Sequence, residues 1–187
     1  IRGLVGSEMC IRDRIGGAFW ATIPAILKTK FNTNEILTSL MLTYVALFIL
    51  DYFVVGPWKD PAGYGLPKSM PFPDAGRLPV LFDGLRVHIG VYFALIISLI
   101  TYIIYNRTLF GFKLKVTGLS SKASQYAGFK YKNLIFYTFI ISGACAGLAG
   151  LFEVSGPIGL LYRDISPNYG FTASIVAFLG RLNPFGI

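Results

Sequence analysis

Two uncharged apolar runs, Ile89 to Tyr105 and Leu134 to Phe152, leave this chain little choice of environment. Each approaches the ~20 residues that a helix needs to cross ~30 Å of hydrocarbon. Between them, from Asn106 to Lys132, stand six basic residues and no acidic one: Arg107, Lys113, Lys115, Lys122, Lys130 and Lys132. A short, purely basic connection between two spans marks the cytoplasmic side, because positive charge is retained there during insertion. The predicted fold is all-α, a polytopic transmembrane helix bundle with about four to five membrane segments.

Composition agrees. Hydrophobic residues make up 54% and charged residues 14%, whereas a soluble domain carries about 25% charge. Mean hydropathy is +0.61. A net charge of +8 raises nucleic acid as a partner. Most of the excess, however, sits in connections that flank spans, so membrane lipid is the expected neighbour and nucleic acid is not. The two cysteines, Cys10 and Cys145, have no ligand-spaced companions and suggest neither a disulfide framework nor a metal site.

The order of segments can be read from charge, proline and glycine. Ile15 to Leu27 is apolar but short, and Pro24 is expected to interrupt it, as the tail of a span or a re-entrant segment. Lys28 and Lys30 follow, then Asn34 and Glu35, then a span from Ile36 to Val55. From Gly56 to Gly84, six prolines and five glycines with balanced charge predict a turn-rich outer loop, with Asp51, Trp58 and Tyr64 near the interface. A second span is expected over Leu85 to Tyr105, the basic connection over 106–132, and a third span over Asn133 to Phe152. Glu153 to Tyr169 reads as another outer loop, and a fourth apolar stretch begins near Gly170. Val5 to Arg14 mixes charged and apolar residues and resembles translated sequencing-adapter read-through. Residues 1–14 are therefore expected to be a non-native leader, and 15–187 a transmembrane domain truncated at both ends.

No catalytic constellation is legible. The single histidine, His88, rules out a His-based metal cluster or triad and is expected at the outer interface. No Gly-x-x-x-x-Gly-Lys-[Ser/Thr] phosphate loop is present. Asn34 and Glu35 open a span, where an acid is favoured by the helix dipole, and this is the favoured reading; a place beside a polar solute pathway is the alternative. Gly143, Gly147 and Gly150 recur at i, i+4 and i+7, giving a nearly bare face suited to close helix packing. Within the basic connection, Ser120 to Gly128 predicts a short helix with a serine N-cap and glycine at C′. Ala123, Tyr126 and Ala127 form a small face on it, fit to enter a groove on another protein or to lie on lipid headgroups.

The stretches Gly111 to Gly118, Ala123 to Gly128 and Ser142 to Gly150 together resemble the membrane permeases of bacterial ABC importers for branched-chain amino acids, simple sugars and nucleosides. Asn34 to Leu42, Gly56 to Pro61 and Leu179 to Gly186 resemble the nucleoside-type branch, which works with a basic membrane lipoprotein as solute receptor. The resemblance covers about residues 15–187. It implies a non-enzymatic, multi-pass permease subunit of the bacterial cytoplasmic (inner) membrane that carries nucleosides or related simple sugars. It further implies a partner ABC ATPase that uses the ATP, a second related permease subunit and a periplasmic or lipoprotein solute receptor, with no cofactor in this chain. By resemblance, Gly118, Ala123, Tyr126, Ala127 and Gly128 belong to the loop that couples to the ATPase. Leu119, Ser120 and Ser121 depart from the Glu-Asn-Pro that many members carry there. A secondary, ion-coupled transporter is the rival class, and it requires an intramembrane coupling residue that the complete spans lack.

Overall fold

The computed structural model describes residues 2–61, 67–71, 89–162, 165 and 169–180. Its elements are helices: α1 (Arg2–Phe31), α2 (Glu35–Val55), α3 (Gly90–Arg107), α4 (Leu109–Leu119), α5 (Ser121–Tyr126), α6 (Tyr131–Glu153) and α7 (Tyr169–Leu179). No β-strand forms among the described residues, although two isolated bridges do, Lys59 with Ser69 and Lys68 with Tyr162. Among the described residues, three helices are long and apolar enough to cross a membrane: Glu35–Val55, Gly90–Arg107 and Tyr131–Gly156. They leave large apolar side chains bare, with Ile36 65% and Phe48 71% exposed. Water does not tolerate such continuous apolar surface, and lipid does. The predicted positions of His88, Tyr64, the start of the second span before Ile89 and the Arg181–Gly186 motif lie outside the described residues.

The chain divides into two compact units. The first takes α1, α2 and α6 from Ile135 onward. There α1 and α6 touch through backbone. A Cβ on Gly17 would stand 2.9 Å from the Gly147 Cα, and one on Gly143 would stand 2.6 Å from the Gly17 carbonyl oxygen. Side chains larger than hydrogen would push the two helices apart.

Pro24 does not interrupt α1, contrary to expectation: the helix runs unbroken from Arg2 to Phe31 with Pro24 inside it. Proline removes one N–H, but hydrogen bonds on either side persist, and Thr22 and Thr29 return hydroxyl bonds to the Phe19 and Ala25 carbonyls. Asn32, at φ +53°, then turns the chain, its N–H donating to the Lys28 carbonyl.

At the far end of α2 the Trp58 ring stacks on Phe53, 4.8 Å between centroids. The segments that follow α2 and α6 are stitched by Ser69, whose N–H donates to the Leu161 carbonyl while its hydroxyl accepts from the Leu161 N–H. The loop expected from Glu153 starts later, because α6 runs on into a π-helical turn, Val154–Ile158, closed by Gly159 at φ +67°.

The second unit holds α3, α4, α5 and α7. Leu109–Leu119, expected as part of a loop, is instead helical as α4.

Candidate functional site

The basic connection folds into an elbow of three helices within the second unit, and each joint has an identifiable chemical cause. Between α3 and α4 a single residue, Thr108, takes extended backbone and ends one helix while capping the next. Its hydroxyl donates to the Ile104 carbonyl at 2.5 Å and accepts from the Gly111 N–H at 3.2 Å. Gly111 is buried against the last turn of α3, where a Cβ would stand 2.6 Å from the Ile104 carbonyl oxygen. Lys115 reaches back across the same joint. Its ammonium donates to Asn106 Oδ1 at 2.9 Å and stands 4.5 Å from the centroid of the Tyr105 ring.

Ser120 forms the second joint. Its N–H closes α4 on the Val116 carbonyl, and its hydroxyl accepts from Ala123 N at 3.3 Å, opening α5 as an N-cap. At the other end of α5, Gly128 takes φ +73°. Its N–H donates to the Gln125 carbonyl and the Phe129 N–H to the Ser124 carbonyl, which is the two-bond C-terminal closure that favours glycine at C′. Both ends of α5 are thereby satisfied by the chain's own groups.

Among the described side chains of α5, Ser124 alone faces inward. Ser124 is fully buried, and its hydroxyl lies 2.9 Å from that of Thr117 on α4. Lys113, also on α4, holds its ammonium 5.5 Å from the Phe129 ring centroid, just past the end of α5. Ala123, Tyr126, Ala127 and Gly128 are turned outward, Tyr126 being 91% exposed. Gly118 is exposed and has open space around it.

The other residues singled out in the sequence lie in the first unit. Asn34 caps α2, accepting from the Ile36 N–H at 3.0 Å. Glu35 pairs with Lys28 across the α1–α2 turn at 2.5 Å, its side chain 46% exposed. Gly143 and Gly147 meet Gly17, whereas a Cβ on Gly150 would meet nothing within 4 Å, and Gly150 edges an open groove beside Gly16 and Leu151. Cys145 is free and exposed. No cluster of three or more His, Cys, Asp or Glu side chains suited to a metal occurs among the described residues.

Sequence reasoning gave no separate role to Gly17, Gly111, Thr117 and Ser124, which make close contacts alongside the expected Gly143 and Gly147. Thr117 and Ser124 are seven apart, a spacing that signals a shared face only within one continuous helix. Here a cap intervenes, and the two hydroxyls meet because the chain turns.

The family model for the permease component of branched-chain amino acid transport systems matches residues 14–187. The chain is 37% identical over 178 residues to a glucose ABC transporter permease protein of Haloferax volcanii, covering 89% of this chain and 46% of that protein. It is 33% identical over 178 residues to a guanosine ABC transporter permease protein of Bacillus subtilis, covering 91% and 50%. With a nucleoside ABC transporter permease protein of Lactococcus lactis it shares 31% identity over 179 residues, covering 91% and 49%. The chain thus spans about half the length of these relatives. No solved structure matches it.

Proposed function

The chain belongs to the family of branched-chain amino acid transport system permease components, and from that membership we propose that it is a membrane-spanning subunit of an ATP-driven importer. It moves nucleosides, or related simple sugars, across the bacterial cytoplasmic membrane by alternating access. The relatives named for guanosine and nucleosides support the first substrate class, and the relative named for glucose supports the second. Its partners are an ABC ATPase, a second related permease and a solute receptor. ATP is consumed on the ATPase, and this chain performs no covalent chemistry. The family match begins at residue 14, one residue before the start expected for the permease domain.

The observation that carries this reading is the outward face of α5. A six-residue helix capped at both ends by its own chain presents Ala123, Tyr126, Ala127 and Gly128 to the surroundings, on a segment with no acidic residue. Small residues around one exposed aromatic fit a groove on a partner protein, with the tyrosine as anchor. Asn34 and Glu35, at the end of α2, stand beside the solute route in this scheme, Glu35 with its charge balanced by Lys28.

Gly128→Val tests the docking assignment. Valine at φ +73° is strained by about 1–2 kcal/mol and adds bulk at the contact, so ATPase co-purification and uptake of guanosine or glucose should fall about tenfold while membrane insertion persists. Lys122→Ala should cost much less, because an exposed charge contributes at most ~1 kcal/mol and is screened by salt. The reverse order would assign α5 to the lipid headgroups and overturn the proposal.

A further inference from the structure

We infer that α3, α4 and α5 move as one rigid lever, in which Ser124 is a positioning residue that clamps the exposed tip to α4 through Thr117. The inference rests on the assignment of α5 as the ATPase-docking tip and says how displacement of that tip reaches a membrane span.

A six-residue helix standing alone would fray, since isolated helices under ~12 residues are marginal in water. Here α5 is tied to α4 at two points, one within the helix and one just past its C-terminal end. Ser124 is fully buried with its hydroxyl 2.9 Å from that of Thr117, and Lys113 of α4 holds the Phe129 ring at 5.5 Å. The α4 helix is in turn fixed to the last turn of α3 by three contacts of different kinds. Gly111 lies against the Ile104 carbonyl, the Thr108 hydroxyl bonds that same carbonyl, and Lys115 bonds Asn106 and covers the Tyr105 ring.

The single-residue breaks at Thr108 and Ser120 would ordinarily be hinges. Each is instead bonded on both of its sides, Thr108 to Ile104 and Gly111, and Ser120 to Val116 and Ala123. Thr108 is further spanned by the Lys115 contacts and Ser120 by the Thr117–Ser124 pair. The placement of the lysines supports the same conclusion. Lys113 and Lys115, in a segment without carboxylates, bridge one helix to the next through rings and an amide oxygen. A push on Tyr126 therefore displaces the end of α3 without bending at either break.

The test is made on the full permease assembled with its ATPase in proteoliposomes, with Cys10 and Cys145 replaced by serine. Thr117→Cys and Ser124→Cys are introduced together, since hydroxyls 2.9 Å apart place the sulfurs within reach of a disulfide. Oxidation should form the bond, and the oxidised carrier should import its solute within about twofold of the reduced one, because the joint never opens during the cycle. Ser124→Ala alone should retain ATPase association and ATP hydrolysis while uptake per ATP falls roughly five- to tenfold, as expected when a buried hydroxyl loses its partner. Ser124→Thr should restore much of that loss, a rescue that a space-filling role for Ser124 does not predict.

An oxidised pair that blocks uptake, with recovery on reduction, would show that α5 pivots on α4 and would overturn the lever. Failure of the bond to form would overturn it as well, since the two residues would not be held together. Absence of ATPase association in the parent protein would sink the docking assignment beneath it, a result distinct from both.

Discussion

Among single residues, glycine shows most plainly how a position is used. Gly147 and Gly150 lie on one face of α6, yet a side chain at Gly147 would strike α1 while one at Gly150 would meet open space. Spacing in the sequence marks such a face, but only the crossing point of the partner helix decides which glycines are essential. Gly147→Leu should therefore lower the amount of assembled permease in the membrane, at an overpacking cost of ~1–3 kcal/mol or more. Gly150→Leu should leave that amount nearly unchanged, with immunoblotting of membrane fractions and thermal stability in detergent as the measurements. Equal damage from both would mean that the α1–α6 contact is not where the structure puts it. Ser124 carries the complementary lesson, because serine in a surface-like pattern gives no hint of complete burial until a second helix folds over it.

At the level of elements, the spans were legible and the elbow was only half so. Apolar runs predicted α2, α3 and α6 to within a few residues over the described part of the chain, since long helices in lipid follow from hydropathy and length alone. The caps of α5 were legible too, from Ser120 and Gly128. The α4 helix was not, because two glycines and two lysines read as a connection, and its stability comes from packing that a sequence pattern does not display. Those two glycines make opposite predictions. Gly111→Ala should loosen the α3–α4 joint, since its methyl group would collide with the Ile104 and Tyr105 carbonyls. Gly118→Ala should stabilise α4 by up to ~1 kcal/mol, as alanine favours helix and nothing lies within 4 Å. Hydrogen exchange of α4 amides in the two variants reads the difference directly; matching rates would remove the special role given to Gly111.

For the whole molecule, orientation rests on charge. The acid-free segment 106–132 is expected inside and the proline-rich segment outside. Ser69 is a poor reporter of the outer face, being only 8% exposed and bonded to Leu161. Met70, 57% exposed, is a suitable one, and Lys122 is exposed on the other segment. In intact cells an impermeant thiol reagent should label Met70→Cys and spare Lys122→Cys in a cysteine-free background, with the labelling ratio reversed only if the protein is inverted. Such a labelling contrast follows from charge alone, which is why an orientation can be predicted from the sequence while the joints cannot.

The α1–α6 contact also sets a timetable. Gly143 leaves the ribosome about 130 residues after Gly17, which at 5–20 residues per second is a delay of roughly 6 to 25 seconds. Throughout that interval α1 is finished and its counterpart does not yet exist. A waiting surface made of polar side chains would recruit whatever partner came first, and a bulky apolar one would fill with lipid that must later be expelled. Bare backbone at Gly16 and Gly17 does neither, because their amides are already bonded within their own helix. The same absence of side chains that lets the two helices meet so closely thus keeps the first of them uncommitted until the second is synthesised.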